Sequence, residues 1–309
     1  MSLNVHGPQI IARGPGHWSE YALLDCGGRE KLERMGGQVL IRPEPQALWS
    51  PRNKPEEWNN IAHWRFEQQG AHGGRWIPLK GKESKSEWEL TYQSPALKLR
   101  FRLALTAFKH IGVFPEQADN WEFVVRCIRA LKIKPPRVLN LFAYTGGASL
   151  AARQAGADVV HLDSVRQVVD WAHENMSLSR LDGIRWVLED ARKFVARERR
   201  RGNRYSGILL DPPAYGLGPA GERWKLEDQM NSLMDDVCAL LEPEAHFLLV
   251  NAYSLGLSSL VLRNFLTHDY PDNRLNTGEL YLPARDAGFL LPLGVFARAW
   301  NGMPADFMG

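Results

Sequence analysis

From Val138 onward the chain alternates short apolar runs with stretches of helical spacing. Val138-Leu139-Asn140-Leu141 reads as a strand that breaks at Gly146-Gly147 and resumes as a helix through Leu150, Ala151 and Ala152. Asp158 to Asp163 predicts a second strand, and Val168, Val169, Ala172 and Met176 recur at helical spacing after it. Ile184 to Leu188, Gly207 to Leu210 and Phe247 to Val250 predict three more strands. Four of the five end on an acidic or amide side chain, at Asp163, Glu189-Asp190, Asp211 and Asn251. Apolar strands alternating with helices predict an α/β fold: a Rossmann-like, doubly wound, mostly parallel sheet with ligands at the C-terminal ends of its strands. Glu279 to Pro283 and Leu290 to Arg298, around Arg285-Asp286-Ala287-Gly288, read as a C-terminal antiparallel hairpin closing one side of it. Asn301 to Gly309 reads as a tail.

The first hundred residues follow a different rhythm. Tyr21 to Asp25, Gln38 to Ile41 and Trp88 to Thr91 are short apolar or alternating runs, separated by turn signals at Cys26-Gly27-Gly28, Met35-Gly36-Gly37 and His72-Gly73-Gly74. They predict a smaller β-rich N-terminal domain over residues 1–100, with the sheet domain over 101–309 and a soft boundary between 95 and 118. Lys98 to Leu103 alternates as a strand entering the second domain, and a helix is expected from Asp119 to Leu131, ended by Pro135-Pro136. Six of the eleven tryptophans lie in the first region. With Arg52, Lys54, Lys80, Lys82 and Lys85 they could form an RNA-binding surface, but a thin β core filled by tryptophan is the better reading for most. Trp49, among prolines, is the candidate for exposure.

Composition narrows this little. The 309 residues are 44% hydrophobic and 24% charged, so disorder is not the default, and a net charge of +3 permits a nucleic-acid partner without demanding one. Cys26, Cys127 and Cys238 lack metal or disulfide spacing, so no metal is expected and a reducing compartment fits. The N-terminus lacks an apolar signal core and no run is long enough to span a bilayer, so the expected location is cytoplasmic, with no membrane partner.

The glycine turn is where a cofactor is expected, because bare backbone N–H groups cluster at such strand-to-helix turns. Its spacing departs from the dinucleotide fingerprint, which needs its first glycine where Tyr144 stands. Leu139 to Gly147, Asp163, Asp170-Trp171-Ala172 with Glu174-Asn175-Met176, Asp190 and Asp211-Pro212-Pro213-Ala214-Tyr215 together carry a resemblance over residues 100 to 300. In order and spacing the chain resembles class I S-adenosylmethionine-dependent methyltransferases, and within them bacterial large-subunit (23S) ribosomal RNA methyltransferases.

That resemblance implies S-adenosylmethionine as cofactor and RNA as partner. It assigns Asp163, with Ser164 beside it, to the ribose hydroxyls, and Asp190 to the adenine amino group, with Glu189 as the neighbouring alternative. Gly146 and Gly147 would admit the methionine portion, in a loop with Asn140, Phe142 and Tyr144; Phe114 and Gln117 would cover the cofactor. Asp211, Pro212, Pro213 and Tyr215 would shape the methyl-acceptor site. Cytosine C5 relatives carry a catalytic cysteine after the fifth strand, where this chain reads Asn251-Ala252-Tyr253-Ser254, so guanine N7 is favoured. Lys109, Arg223 and Lys225 would flank the site, while Arg197, Arg199, Arg200, Arg201 and Arg204 read better as a solvated helix end than as a phosphate site. The alternatives are a protein or small-molecule methyltransferase, a non-catalytic RNA-binding protein and an NAD-dependent oxidoreductase.

Overall fold

The computed structural model describes residues 9–70, 73–132, 135–218, 220–253, 256–284, 286–304 and 307. His72, Ser254, Arg285 and the tail residues 305, 306, 308 and 309 lie outside the described residues, as does the side chain of Lys82. The N-terminal region contains β1 (Ile10–Arg13), β2 (Tyr21–Gly27), β3 (Glu30–Met35), β4 (Gln38–Pro43), α1 (Pro55–Ile61), β5 (Trp64–Gln69) and β6 (Gly73–Pro78). A hairpin of β7 (Glu87–Gln93) and β8 (Lys98–Ala104) leads to α2 (Ala118–Ala130).

The alternating region then runs β9 (Arg137–Leu141), α3 (Gly147–Gln154), β10 (Asp158–Asp163), α4 (Arg166–Leu178), β11 (Ile184–Leu188), α5 (Ala191–Arg200) and β12 (Gly207–Leu210). A short hairpin, β13 (Tyr215–Leu217) and β14 (Arg223–Lys225), precedes α6 (Leu226–Cys238), β15 (His246–Ala252) and α7 (Ser259–Leu266). Antiparallel β16 (Leu275–Ala284) and β17 (Phe289–Asn301) close the sheet. The strand order β11-β10-β9-β12-β15-β17-β16 is parallel as far as β15, where β17 pairs antiparallel. The chain winds outward from β9 to β11 and returns to β12 on the other side of β9. The crevice between the ends of β9 and β12 is thus the topological switch point where such sheets bind ligands.

The N-terminal strands continue this sheet through β16, by the pairing of Ala284 with Leu23. One aromatic cluster spans both regions. Trp18 lies 4.9 Å from Tyr92 and 6.0 Å from Trp121, and Trp121 lies 5.4 Å from Phe101. The expected boundary at residues 100 and 101 falls inside β8, and this core runs across it.

The aromatic-surface reading of the first region fails at its tryptophans. Each of the six donates its indole N–H to an acceptor within the protein: Trp18 to Thr91 O, Trp49 to Cys26 O, Trp58 to Asp25, Trp64 to Lys85 O, Trp76 to Thr106 O and Trp88 to Met35 O. Trp49, expected to be exposed, is half-buried with its ring 5.6 Å from Phe289. The C-terminal segment is also less free than expected, since Phe307 packs 5.9 Å from Trp300. Among the described residues no helix is long and apolar enough to cross a membrane.

Candidate functional site

The loop between β9 and α3 holds three left-handed residues in five: Phe142 (φ 56°), Tyr144 (φ 48°) and Gly146 (φ 91°). Left-handed geometry at a non-glycine residue costs energy and persists only where neighbours enforce it. Here they do. Tyr144 N–H donates to Asp163 Oδ2 at 2.9 Å, Thr145 Oγ1 donates to Gly112 O at 2.6 Å, and Asn175 Nδ2 donates to Thr145 O at 3.0 Å. Gly146 and Gly147 are needed for space: a Cβ on the first would lie 3.1 Å from Ala172 Cβ, and on the second 2.7 Å from Trp121 Cζ2. Gly147→Ala is therefore expected to destabilise the fold by about 1–3 kcal/mol through overpacking, read as a lower midpoint in thermal unfolding.

The loop faces a cavity of about 610 Å³, within the range for small-ligand sites. A second, smaller space of about 60 Å³ is lined by Gly146, Gly147, Asn140, Gln117 and Asn251. Phe114 lies between these spaces, its ring 5.3 Å from Tyr144, 5.9 Å from Tyr253 and 5.2 Å from His110. Phe142, Tyr144 and Asp211 also line both. The larger cavity takes Asp163, Ser164, Pro212, Pro213 and Tyr215 from the sheet domain and Lys31, Arg42 and Glu44 from the N-terminal strands.

Asp163 does two things at once. Its oxygens accept N–H bonds from Tyr144 and Val165, which shapes the turn, and its side chain borders the cavity, where burial raises its pKa. Asp211 Oδ1 is buried with no partner, and burial with the Glu116 charge pushes the carboxyl up to about 7. Asn140 donates to Ser149 Oγ, whose hydroxyl faces His161; burial lowers that imidazole to about 3, so its ring is neutral. Ser164 Oγ donates to Leu217 O at 3.3 Å, tying the strand end to β13. Trp224 donates its indole N–H to Pro213 O, which braces the proline pair, while the Tyr215 ring is 59% exposed.

Of the expected cofactor and acceptor residues, only Asp190 lines neither space. It caps α5, its Oδ1 accepting from Arg192 N and Lys193 N, with Oδ2 paired to Arg192. Lys109 lines the cavity; Arg223 and Lys225 sit on β14 beside it but outside its lining. In the arginine run, Arg197 pairs with Glu189, Arg199 with Asp236 and Arg201 with Glu198, while Arg204 donates to the carbonyls of Ala239 and Leu241. Two site residues were missed from sequence: Glu116 and Tyr253. Glu116 and Tyr253 each adjoin a residue that was singled out, but nothing in a linear pattern says that their loops meet.

The site fits the cofactor implied by the resemblance. S-adenosylmethionine supplies a methyl group on a sulfonium cation, and an unpartnered carboxylate beside the glycine loop suits positive charge. Asp163, Asp211 and Glu116 border the same cavity, together with Lys31, Arg42 and Lys109. Among the described residues no group of three His, Cys, Asp or Glu side chains could hold a metal ion.

Comparison with known proteins agrees. Residues 41–261 match the family of S-adenosylmethionine-dependent methyltransferases. The crystal structure of a SAM-dependent methyltransferase from Agrobacterium tumefaciens superposes with a TM-score of 0.84 at 35% identity, covering 94% of this chain and 93% of that one. SMU.776 in complex with SAH has the same fold, with a TM-score of 0.69 at 16% identity over 92% of this chain and 76% of that one. Ribosomal RNA large subunit methyltransferase I of Tolumonas auensis is 36% identical over 112 residues, or 35% of this chain. Ribosomal RNA large subunit methyltransferase K/L of Shewanella frigidimarina is 29% identical over 154 residues, or 49% of this chain. The chain spans only 27% and 21% of the lengths of those two proteins. A switch-point cavity built around the Gly146-Gly147 loop, and a family match over most of the sequence, lead to one conclusion: the chain belongs to the S-adenosylmethionine-dependent methyltransferases.

Proposed function

We propose that this methyltransferase modifies a base of large-subunit ribosomal RNA, with guanine N7 as the acceptor rather than cytosine C5. The observation that carries the choice of atom is the state of the thiols. Methylation at C5 needs a thiolate to add to the ring, and thiolates form where the thiol pKa is depressed. The sequence has three cysteines, none lines the cavity, and burial pushes all three thiols up: Cys26 to about 11, Cys238 to about 12, and Cys127 well above the ordinary value. Tyr253 follows the fifth parallel strand, where a C5 enzyme would carry its nucleophile. A ring nitrogen with a free lone pair needs only position and exclusion of water.

Large-subunit RNA as substrate is supported by the names of the relatives in Tolumonas and Shewanella, and by Phe114 and the exposed Tyr215 as faces for an unstacked base. In this reading Asp163 and Ser164 take the ribose of the cofactor, and Gly146 and Gly147 its methionine end. Asp190 keeps its helix cap and its pairing with Arg192, and stands as the candidate partner of the adenine amino group. Asp211, Pro212, Pro213 and Tyr215 frame the acceptor, and the reaction takes place in the cytoplasm. Incubating the protein with transcribed large-subunit RNA and methyl-labelled cofactor, then digesting to nucleosides, is expected to give labelled 7-methylguanosine. Labelled 5-methylcytidine would overturn the choice of atom, and unlabelled RNA would overturn the substrate.

A further inference from the structure

Glu116 lies on the single turn Pro115–Gln117 that enters α2; it is 3% exposed and lines the cavity. Behind it runs a chain of buried side chains whose hydrogen-bond directions are forced. Arg298 is fully buried and has only donors, and its Nε and Nη2 both meet Asn120 Oδ1. Asn120 must then aim its amide nitrogen the other way, to Gln117 Oε1 at 2.8 Å and Asn251 Oδ1 at 2.9 Å. Gln117 is left to donate Nε2 to the Tyr253 hydroxyl oxygen at 2.6 Å. The Tyr253 hydroxyl accepts from Gln117 and so keeps its own proton to donate to the Glu116 carboxylate.

The cations around the cavity have partners of their own. Lys31 pairs with Glu44 at 3.2 Å, Arg42 with Glu33 at 2.7 Å, and Lys109 Nζ donates to Pro43 O at 3.4 Å. Asp211 Oδ1 has no donor. The wall thus presents at Asp211 a carboxyl oxygen that lacks a donor, with the Glu116 carboxyl on the same cavity, and a ligand must bring N–H groups to satisfy it.

We propose that Glu116, oriented by Tyr253, is a specificity residue that binds the N–H edge of the acceptor base together with Asp211. The inference rests on the reading of a nucleobase acceptor and extends it. Guanine offers two adjacent donors, N1–H and the N2 amino group, on the edge opposite N7. Cytosine and adenine offer one amino group beside a bare ring nitrogen, which would set a lone pair against a carboxylate oxygen.

The test is a cycle between protein and RNA. Wild type and Glu116→Gln are assayed on synthetic RNA carrying guanosine or inosine at the modified position, since inosine lacks only the N2 amino group. Loss of one hydrogen bond to a charged group is expected to lower kcat/KM of the wild type about 10- to 100-fold, whereas the already slower Glu116→Gln changes less than about twofold between the two RNAs. S-adenosylhomocysteine affinity, measured by calorimetry, is expected to be equal in both proteins. Tyr253→Phe, which removes the orienting bond and with it the acceptor of Gln117 Nε2, is expected to raise KM for RNA about fivefold. An equal inosine penalty in both proteins would overturn the assignment. So would loss of S-adenosylhomocysteine binding in Glu116→Gln, which would move the residue to the cofactor. If the wild type marks a different base, the guanine reading falls and so does this pairing of edges.

Discussion

Asp163→Ala is expected to weaken S-adenosylhomocysteine binding at least about a hundredfold and to lower stability by about 2–4 kcal/mol, because it leaves two N–H groups without acceptors at once. The carboxylate holds Tyr144 N–H at 2.9 Å and Val165 N–H at 3.0 Å. Without it, Tyr144 loses the partner that keeps it at φ 48°, and the loop over Gly146 and Gly147 can relax toward ordinary backbone. The ligand then loses both a direct acceptor and the shape of the turn. Calorimetric titration with S-adenosylmethionine, S-adenosylhomocysteine and NAD separates the two losses when Asp163→Asn is run beside it. Asparagine keeps one acceptor for the turn but carries no charge, so the fold is expected to recover more than the affinity does. Wild-type affinity for S-adenosylhomocysteine in Asp163→Ala would remove this residue from the site, and tighter binding of NAD would remove the site from this cofactor.

The parts of this design that sequence reveals are those in which chemistry and periodicity coincide. Strand ends at Asp163, Asp211 and Asn251 stand out because an apolar run stops on a polar side chain, and the sheet edge that gathers those ends follows from the alternation of strand and helix. Tyr144 stands out as a missing glycine, but how it is accommodated does not: a tyrosine takes the left-handed position because Asp163, nineteen residues away, holds its N–H. Strand β3 escapes pattern reading for the opposite reason. Its Glu33 is fully buried and looks polar, yet Arg42 and the Tyr21 hydroxyl satisfy it from the neighbouring strands, and their contributions lower its pKa despite burial. Trp49 misleads in the same way, since a polar tip with an internal acceptor is indistinguishable in sequence from one facing solvent. Glu116 and Tyr253 are 137 residues apart in the chain and become partners only where the turn before α2 meets the residue that follows β15.

Asp211→Asn is expected to make the protein more stable at pH 8 and nearly inactive. Burial, helped by Glu116, raises the Asp211 carboxyl from 3.8 to about 7 in the folded chain. Between about pH 4 and 7 the native state therefore holds a proton that the unfolded chain has released, and stability falls as pH rises through this window. The contribution is fully present below about pH 4 and gone above about pH 7. A rise of this size corresponds to about 2–4 kcal/mol after allowance for relaxation around the ionised group. Asparagine does not titrate, so the gap between variant and wild type should open from near zero at pH 4 to that value at pH 8, several degrees in the thermal midpoint for a chain of this size. The same substitution removes the negative charge that faces positive charge developing on the acceptor, for which a fall in kcat/KM of about a hundredfold is expected. Thermal unfolding from pH 4 to 8, with methyl transfer assayed in parallel, reads both effects. Glu116→Gln provides the control, because removing the neighbouring charge should bring the Asp211 carboxyl down and narrow the window from its upper end. A variant less stable than wild type at pH 8 would mean that a donor satisfies the Asp211 carboxylate, and the acceptor base would then not be needed to bring one.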